Sequence, residues 1–176
     1  MGLKELLFKK KNVILKKWLD SILKTYPADT KNFLKKQNNR FANPVGHTIA
    51  TETENLLDLL IDGQDMDQER IYPVLDRIIR VRSIQDFSPS HSILIIYMLK
   101  NVVREVLENE IRDKDLLDDL LTFFTKIDQA ALIAFDIYTE CRETLYKIKV
   151  DQAKNQVSGL LRRTGLISEL PEWDPH

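Results

Sequence analysis

Residues 113–163, DKDLLDDLLTFFTKIDQAALIAFDIYTECRETLYKIKVDQAKNQVSGLLRR, decide the fold, for they hold no proline and one glycine, Gly159. Proline removes an amide donor and clashes with the preceding turn, so its absence over this length predicts one very long helix or two collinear ones. A break or bend is expected near Asp128. Ala130, Ala134, Ile137, Cys141, Leu145 and Ile148 recur at the 3-4 spacing of a coiled-coil seam, with small residues at one end that permit close helix approach. Polar Asp151, Gln152 and Asn155 interrupt that seam.

Upstream, capping residues and proline cut the chain into further helices. Ser88-Pro89 puts a hydroxyl acceptor before a residue with no amide to lose, which opens a helix through Leu107. Its Ile93, Leu94, Ile96, Tyr97, Leu99, Val102, Val103 and Val106 occupy more than one stripe, which predicts a central helix. Asn43-Pro44 repeats the device and starts a helix that runs to Asp62, after which Gly63 is expected in the left-handed conformation. A third segment spans about Gln68 to Ile84, with Pro73 near its first turn. Residues 2–25 place Leu3, Leu6, Leu7, Val13, Ile14, Trp18, Leu19, Ile22 and Leu23 on one helical face, and Tyr26-Pro27 stops them. A helical turn from Thr30 to Lys36, anchored by Phe33 and Leu34, is expected to follow. The fold class is therefore all-α, a helical bundle with a long C-terminal helix: residues 1–165 form the domain and 166–176 an extended tail.

Five glycines and six prolines in 176 residues, with no alternating β-branched run, leave no strand to expect. One cysteine excludes an intramolecular disulfide and multi-cysteine metal sites and is in keeping with a reducing, cytoplasmic setting. No signal-peptide core and no apolar run of spanning length occurs, so membrane insertion is not expected. Net charge is −1, yet residues 1–40 carry eleven Lys/Arg against three Asp/Glu, leaving fifteen against twenty-four in the remainder. Such a basic segment is more often a solvated face than a nucleic-acid or lipid contact, and no nucleic-acid partner is expected.

Phosphate-cradling, dinucleotide-binding, HExxH and nucleophile-elbow motifs are all missing, which argues against an enzyme. His47, His91 and His176 make no metal-ligand spacing, although one imidazole in a helical bundle could bind haem iron. Arg77, Arg80 and Arg82 lie close together before Gln85, with Arg40 ahead of the Asn43 cap. Guanidinium forks suit a carboxylate or phosphate, but internal pairs with Asp76, Asp86 or Glu52 are the commoner outcome. Cys141 fits a small core residue better than a redox sensor. No cofactor is expected.

The segments RFANPVGHTI (40–49), DRIIRVRSIQDFSPSHSILIIYMLK (76–100) and AFDIYTECRETLY (134–146) resemble the amino-terminal domain of the RsbRD type, associated with stressosome-like co-antagonists of the kinase RsbT. The shared pattern is Arg40, Phe41, Asn43 and Pro44, then Ile79, Arg80, Gln85, Ser88 and Ser90. The resemblance implies a globin-like helical input domain whose last helix leads into an output domain. Here no such domain follows, so a stand-alone input module is expected, one that binds a protein partner and forms a homodimer through the C-terminal helix. Its candidate ligand-binding residues are Arg40, Asn43, His47, Arg77, Arg80, Gln85 and His91, and Trp173 in the tail is the candidate partner contact. The alternative is a small-molecule sensor holding haem or an anion between its helices.

Overall fold

A computed structural model describes residues 2–31, 43–63, 67–85, 87–111 and 114–164. Five helices carry them: α1 (Leu3–Leu23), α2 (Pro44–Asp62), α3 (Gln68–Ile84), α4 (Pro89–Val106) and α5 (Lys114–Arg163). The described residues contain no strand, and the molecule is an all-α bundle with a long last helix. Three of the starts are side-chain caps. Asn43 accepts from the Gly46 amide at 2.8 Å, Asp67 from Arg70 at 3.3 Å, and Ser88 from His91 at 3.3 Å, with Pro44 and Pro89 at the position where a missing amide costs nothing. Pro73 sits inside α3, where its missing amide leaves the carbonyl of exposed Glu69 to solvent. Gly63 is not left-handed. Its φ of −66° and ψ of 123° make it extended, so α2 ends without a glycine-specific cap, and the chain leaves along a path open to any residue. A helical stretch occurs at 28–31, while the rest of the expected Thr30–Lys36 turn, with Phe33 and Leu34, lies outside the described residues.

The molecule divides into two compact units, with the boundary between Thr139 and Glu140. In the first, α1 packs on α2 and α4, and α3 packs on the same two, closing a ring of four helices. Leu7, Ile14, Trp18 and Ile22 of α1 are buried, as are Leu56 and Leu60 of α2, Ile79 of α3, and Leu99 and Val103 of α4. Val13, at 51% exposure, turns outward despite its apolar side chain, so the inward stripe is narrower than the sequence suggests. Burial of this kind stabilises by roughly 25 cal/mol per Å² of apolar surface removed from water. Trp18 also donates its indole N–H to the Ile95 carbonyl at 2.7 Å, satisfying the one polar atom that its burial would otherwise strand.

The residues of α5 within the first unit supply the remaining core. Leu116, Leu120, Phe123, Ile127, Ala130, Ala134 and Ile137 are all buried, a strict 4-3 alternation. Three ties fix this stretch: Lys126 Nζ to the Gly63 carbonyl, Lys100 to Asp128 at 2.6 Å, and the Tyr138 hydroxyl to the Phe87 carbonyl at 2.7 Å. The expected break near Asp128 does not occur. Residue after residue through that region is helical, with Ile127, Ala130 and Ala131 buried and Asp128 tied to α4, so nothing competes with the helical hydrogen bonds there.

The second unit, as described, is the helical stretch from Glu140 onward. Cys141 is buried, Leu145 is half-buried, and Ile148 is 48% exposed, so the sequence-level seam runs out into solvent. Past that point Val150, Val157 and Leu160 are exposed as well.

Candidate functional site

Two of the candidate residues, Gln85 and His91, meet where α3 turns into α4, and the turn is built around an arginine. Arg82 is completely buried at the last turn of α3. Its guanidinium carbon lies 4.0 Å from the Phe87 ring centroid and 5.3 Å from that of Tyr26. The two rings meet edge to face at 5.2 Å. Both terminal nitrogens donate to Thr25 Oγ1 at 3.3 Å, and Nη2 donates to the His91 carbonyl at 3.0 Å. Nε has no partner, and no carboxylate among the described residues pairs with this cation. Burial therefore pulls the Arg82 pKa down, while the same burial pushes the Tyr26 phenol up. Among the described residues, aromatic faces are what the guanidinium meets besides Thr25 and the His91 carbonyl.

Around this core the sequence candidates take structural roles. Gln85 ends α3, and its Oε1 accepts from the Tyr26 hydroxyl at 3.1 Å. His91 hangs on the cap of α4: its Nδ1 lies 3.1 Å from Ser88 Oγ, which is also 3.1 Å from Ser90 Oγ. Arg77 pairs with Glu52 on α2 at 2.7 Å, and this carboxylate raises the arginine's pKa. Arg80 grips Asp76 one turn back, with Nε 2.9 and 2.8 Å from the two carboxylate oxygens. Glu52 and Asp76 are two of the three internal partners expected ahead of an external anion. Asn43 is buried and caps α2, whereas His47 is exposed in its first turn. Arg40, Phe41 and Trp173 lie outside the described residues.

The structure thus brings Gln85 and His91 together on either side of Arg82 and leaves His47 apart on another helix. Sequence reasoning put Arg82 in the arginine cluster without marking it as the buried one. The signal was there: Arg82 falls at the spacing of Leu75, Ile78 and Ile79, the inward residues of α3. Both imidazoles, His47 and His91, are exposed.

Elsewhere, a groove of about 250 Å³ opens where the start of α1, the end of α2 and α5 meet. Leu3, Leu7, Leu60, Ile61 and Phe123 floor it. Its rim cations are already engaged, Lys4 with Asp62 at 3.3 Å and Lys126 with the Gly63 carbonyl. Among the described residues, no cluster of three or more His, Cys, Asp or Glu side chains could hold a metal ion, and no helix is long and apolar enough to cross a membrane.

The family model for the RsbT co-antagonist protein RsbRD N-terminal domain matches residues 12–151, well over half of the chain. The chain belongs to that family. The RsbRD amino-terminal domain family is one of stressosome-related signalling domains, and its match takes in every element of the Arg82 turn. The quoted motifs acquire physical meanings within it. Asn43-Pro44 is a helix cap with its following turn, Ser88-Pro89-Ser90 is another, and Gln85 holds the phenol that stacks on Arg82. A search of curated proteins returned no match, and a search of solved structures returned none.

Proposed function

We propose that this RsbRD-type domain is a non-catalytic, cytoplasmic signal-input module that works by binding protein, and that it pairs with a second copy through the second unit. One observation carries the pairing. Tyr146, Val150, Ala153, Val157 and Leu160 stand on one helical face at 4-3-4-3 spacing, and all five are exposed. A solvated polar helix has no use for such a stripe, whereas two copies laid side by side bury it. Polar Asp151, Gln152 and Asn155 lie off this line, so the interruption of the Ile148 seam does not interrupt it.

The test is the mass in solution by light scattering across the micromolar range. The wild type is expected to run as a dimer and the double variant Val150→Asp/Val157→Asp as a monomer with an unchanged melting temperature for the first unit. A wild-type monomer at every concentration defeats the pairing.

The groove by Leu3, Leu60 and Phe123 supports a second reading, input by a small apolar molecule. Its volume falls just under the usual range for ligand pockets. A thermal-shift screen of small apolar and anionic compounds separates the two readings, for a ligand there raises the melting temperature without changing the mass.

A further inference from the structure

The apolar stripe of the second unit is bordered by charge, and the charge is of one sign. Tyr146, Val150, Ala153, Val157 and Leu160 alternate as the two inner positions of a heptad do. The residues directly after Tyr146, Ala153 and Leu160 therefore lie along one flank, and those directly before Val150 and Val157 along the other. Lys147, Lys154 and Leu161 make the first flank; Lys149 and Gln156 make the second, which Arg163 continues. All four of these cations are exposed. Arg142, one heptad before Lys149, extends the second flank upward, with its guanidinium carbon 5.2 Å from the Tyr146 ring centroid and Nη2 donating to the phenol oxygen at 3.2 Å.

No acid shares either flank between Arg142 and Arg163. Glu140 and Glu143 precede the stripe, and Asp151 lies about 130° around the helix from its middle. In a pair of helices the flanking residues of one copy face those of the other, first flank to second when the helices are parallel and each flank to its own kind when they are antiparallel. Either way, every such encounter along the stripe sets a cation against a cation or against an uncharged side chain. Apolar burial draws the two copies together while their borders push them apart. The repulsion acts between solvated charges, so dissolved ions weaken it: its range shrinks from about 30 Å at 0.01 M salt to about 10 Å at 0.1 M.

We infer that pairing through this stripe is controlled by ions in the reverse of the usual sense. Salt tightens it, because dissolved anions do at the flanks what acidic side chains do in a seam with charges of both signs. The inference rests on the pairing of two copies through the second unit and adds a control to it.

Sedimentation equilibrium of the intact chain, in sodium chloride from about 0.01 to about 0.5 M, tests it. The dimer dissociation constant of the wild type is expected to fall at least fivefold across that range. Lys147→Glu/Lys149→Glu, at two exposed sites, gives both flanks charges of both signs. This variant is expected to pair more tightly than the wild type at low salt and to loosen as salt rises. The opposite trends separate charge screening from a general strengthening of apolar contacts by salt, which moves both proteins the same way. Wild-type pairing that loosens with salt, ignores it, or follows the same trend as the variant overturns the inference and leaves the pairing standing. Loosening would mean that carboxylates, such as those of Glu169, Glu172 and Asp174, already answer the flanks. Monomers of both proteins at every salt concentration defeat the pairing itself and the inference with it.

Discussion

Arg82 brings a full positive charge into a core that returns two hydroxyl contacts, one carbonyl and two aromatic faces. Buried ions without counter-charges are costly, so an unbranched apolar side chain of similar length can serve as well or better, whereas truncation leaves a hole. Arg82→Ala is expected to lose about 3 kcal/mol in urea unfolding and Arg82→Met to recover most of it. If methionine is as damaging as alanine, the hydrogen bonds to Thr25 and His91 matter more than the cost of burying the charge. A second residue-scale prediction concerns acid. Lys10, hydrogen-bonded to Glu110, holds that carboxyl below its ordinary pKa. A depressed carboxylate contributes stability that is complete above its unfolded pKa and is lost as pH falls through the folded one. The melting temperature should therefore drop as pH falls through and below the ordinary carboxylate range, and Glu110→Gln should make that drop shallower. An identical slope in the variant refutes the assignment.

At the level of single helices, the start of α2 is a place where helix propensity gives the wrong sign. Alanine normally outscores glycine inside a helix by about 1 kcal/mol. At Gly46 an added Cβ would lie 2.2 Å from Asn43 Nδ2 and 2.8 Å from its Cγ and Oδ1, and the Asn43 side chain is buried and short, with little room to retreat. Gly46→Ala is expected to displace the cap and destabilise by about 1 kcal/mol, close to the loss from Asn43→Ala itself. A stabilised Gly46→Ala in thermal melts contradicts this account. Cap residues were readable in the sequence because their effect is local: Asn43-Pro44 and Ser88-Pro89 each specify a helix start within four residues. Gly63 was not, since its carbonyl is bonded by Lys126, sixty-three residues away, a partner that no local pattern shows. The unbroken course of α5 past Asp128 escaped for the same reason: Asp128 looks like a breaking point alone and like an anchor once Lys100 stands beside it.

Over the whole molecule, the uneven charge along the chain becomes a zip between helices. Lys11 on α1 meets Glu54 at 3.1 Å and Asp58 at 2.7 Å on α2, and their proximity raises its pKa. Lys4 meets Asp62, Lys10 meets Glu110 and Lys17 meets Glu105, so much of the basic segment is spent on the protein's own acids. Exposed pairs contribute under about 1 kcal/mol each. Asp58→Lys should cost on that order, and adding Lys11→Glu should restore more than half of it in a double-mutant cycle; two additive losses would show that the pair is incidental. Which acids answer which lysines could not be read from composition, because the partners lie 43 to 100 residues apart. The candidate site was legible to a similar degree: Arg80 announced Asp76 by its spacing of four, whereas Glu52 reaches Arg77 from another helix and the role of Arg82 depends on Tyr26 arriving from the end of α1.

The indole of Trp18, 1% exposed and hydrogen-bonded to the α4 backbone, makes the domain its own optical gauge. The chain has two tryptophans, so replacing Trp173 by phenylalanine leaves a single emitter seated where α1 crosses α4. Its emission should be blue-shifted and resistant to iodide. Any event that shifts α1 against α4 should then be visible as a change in colour or lifetime, without a label and whatever the stimulus.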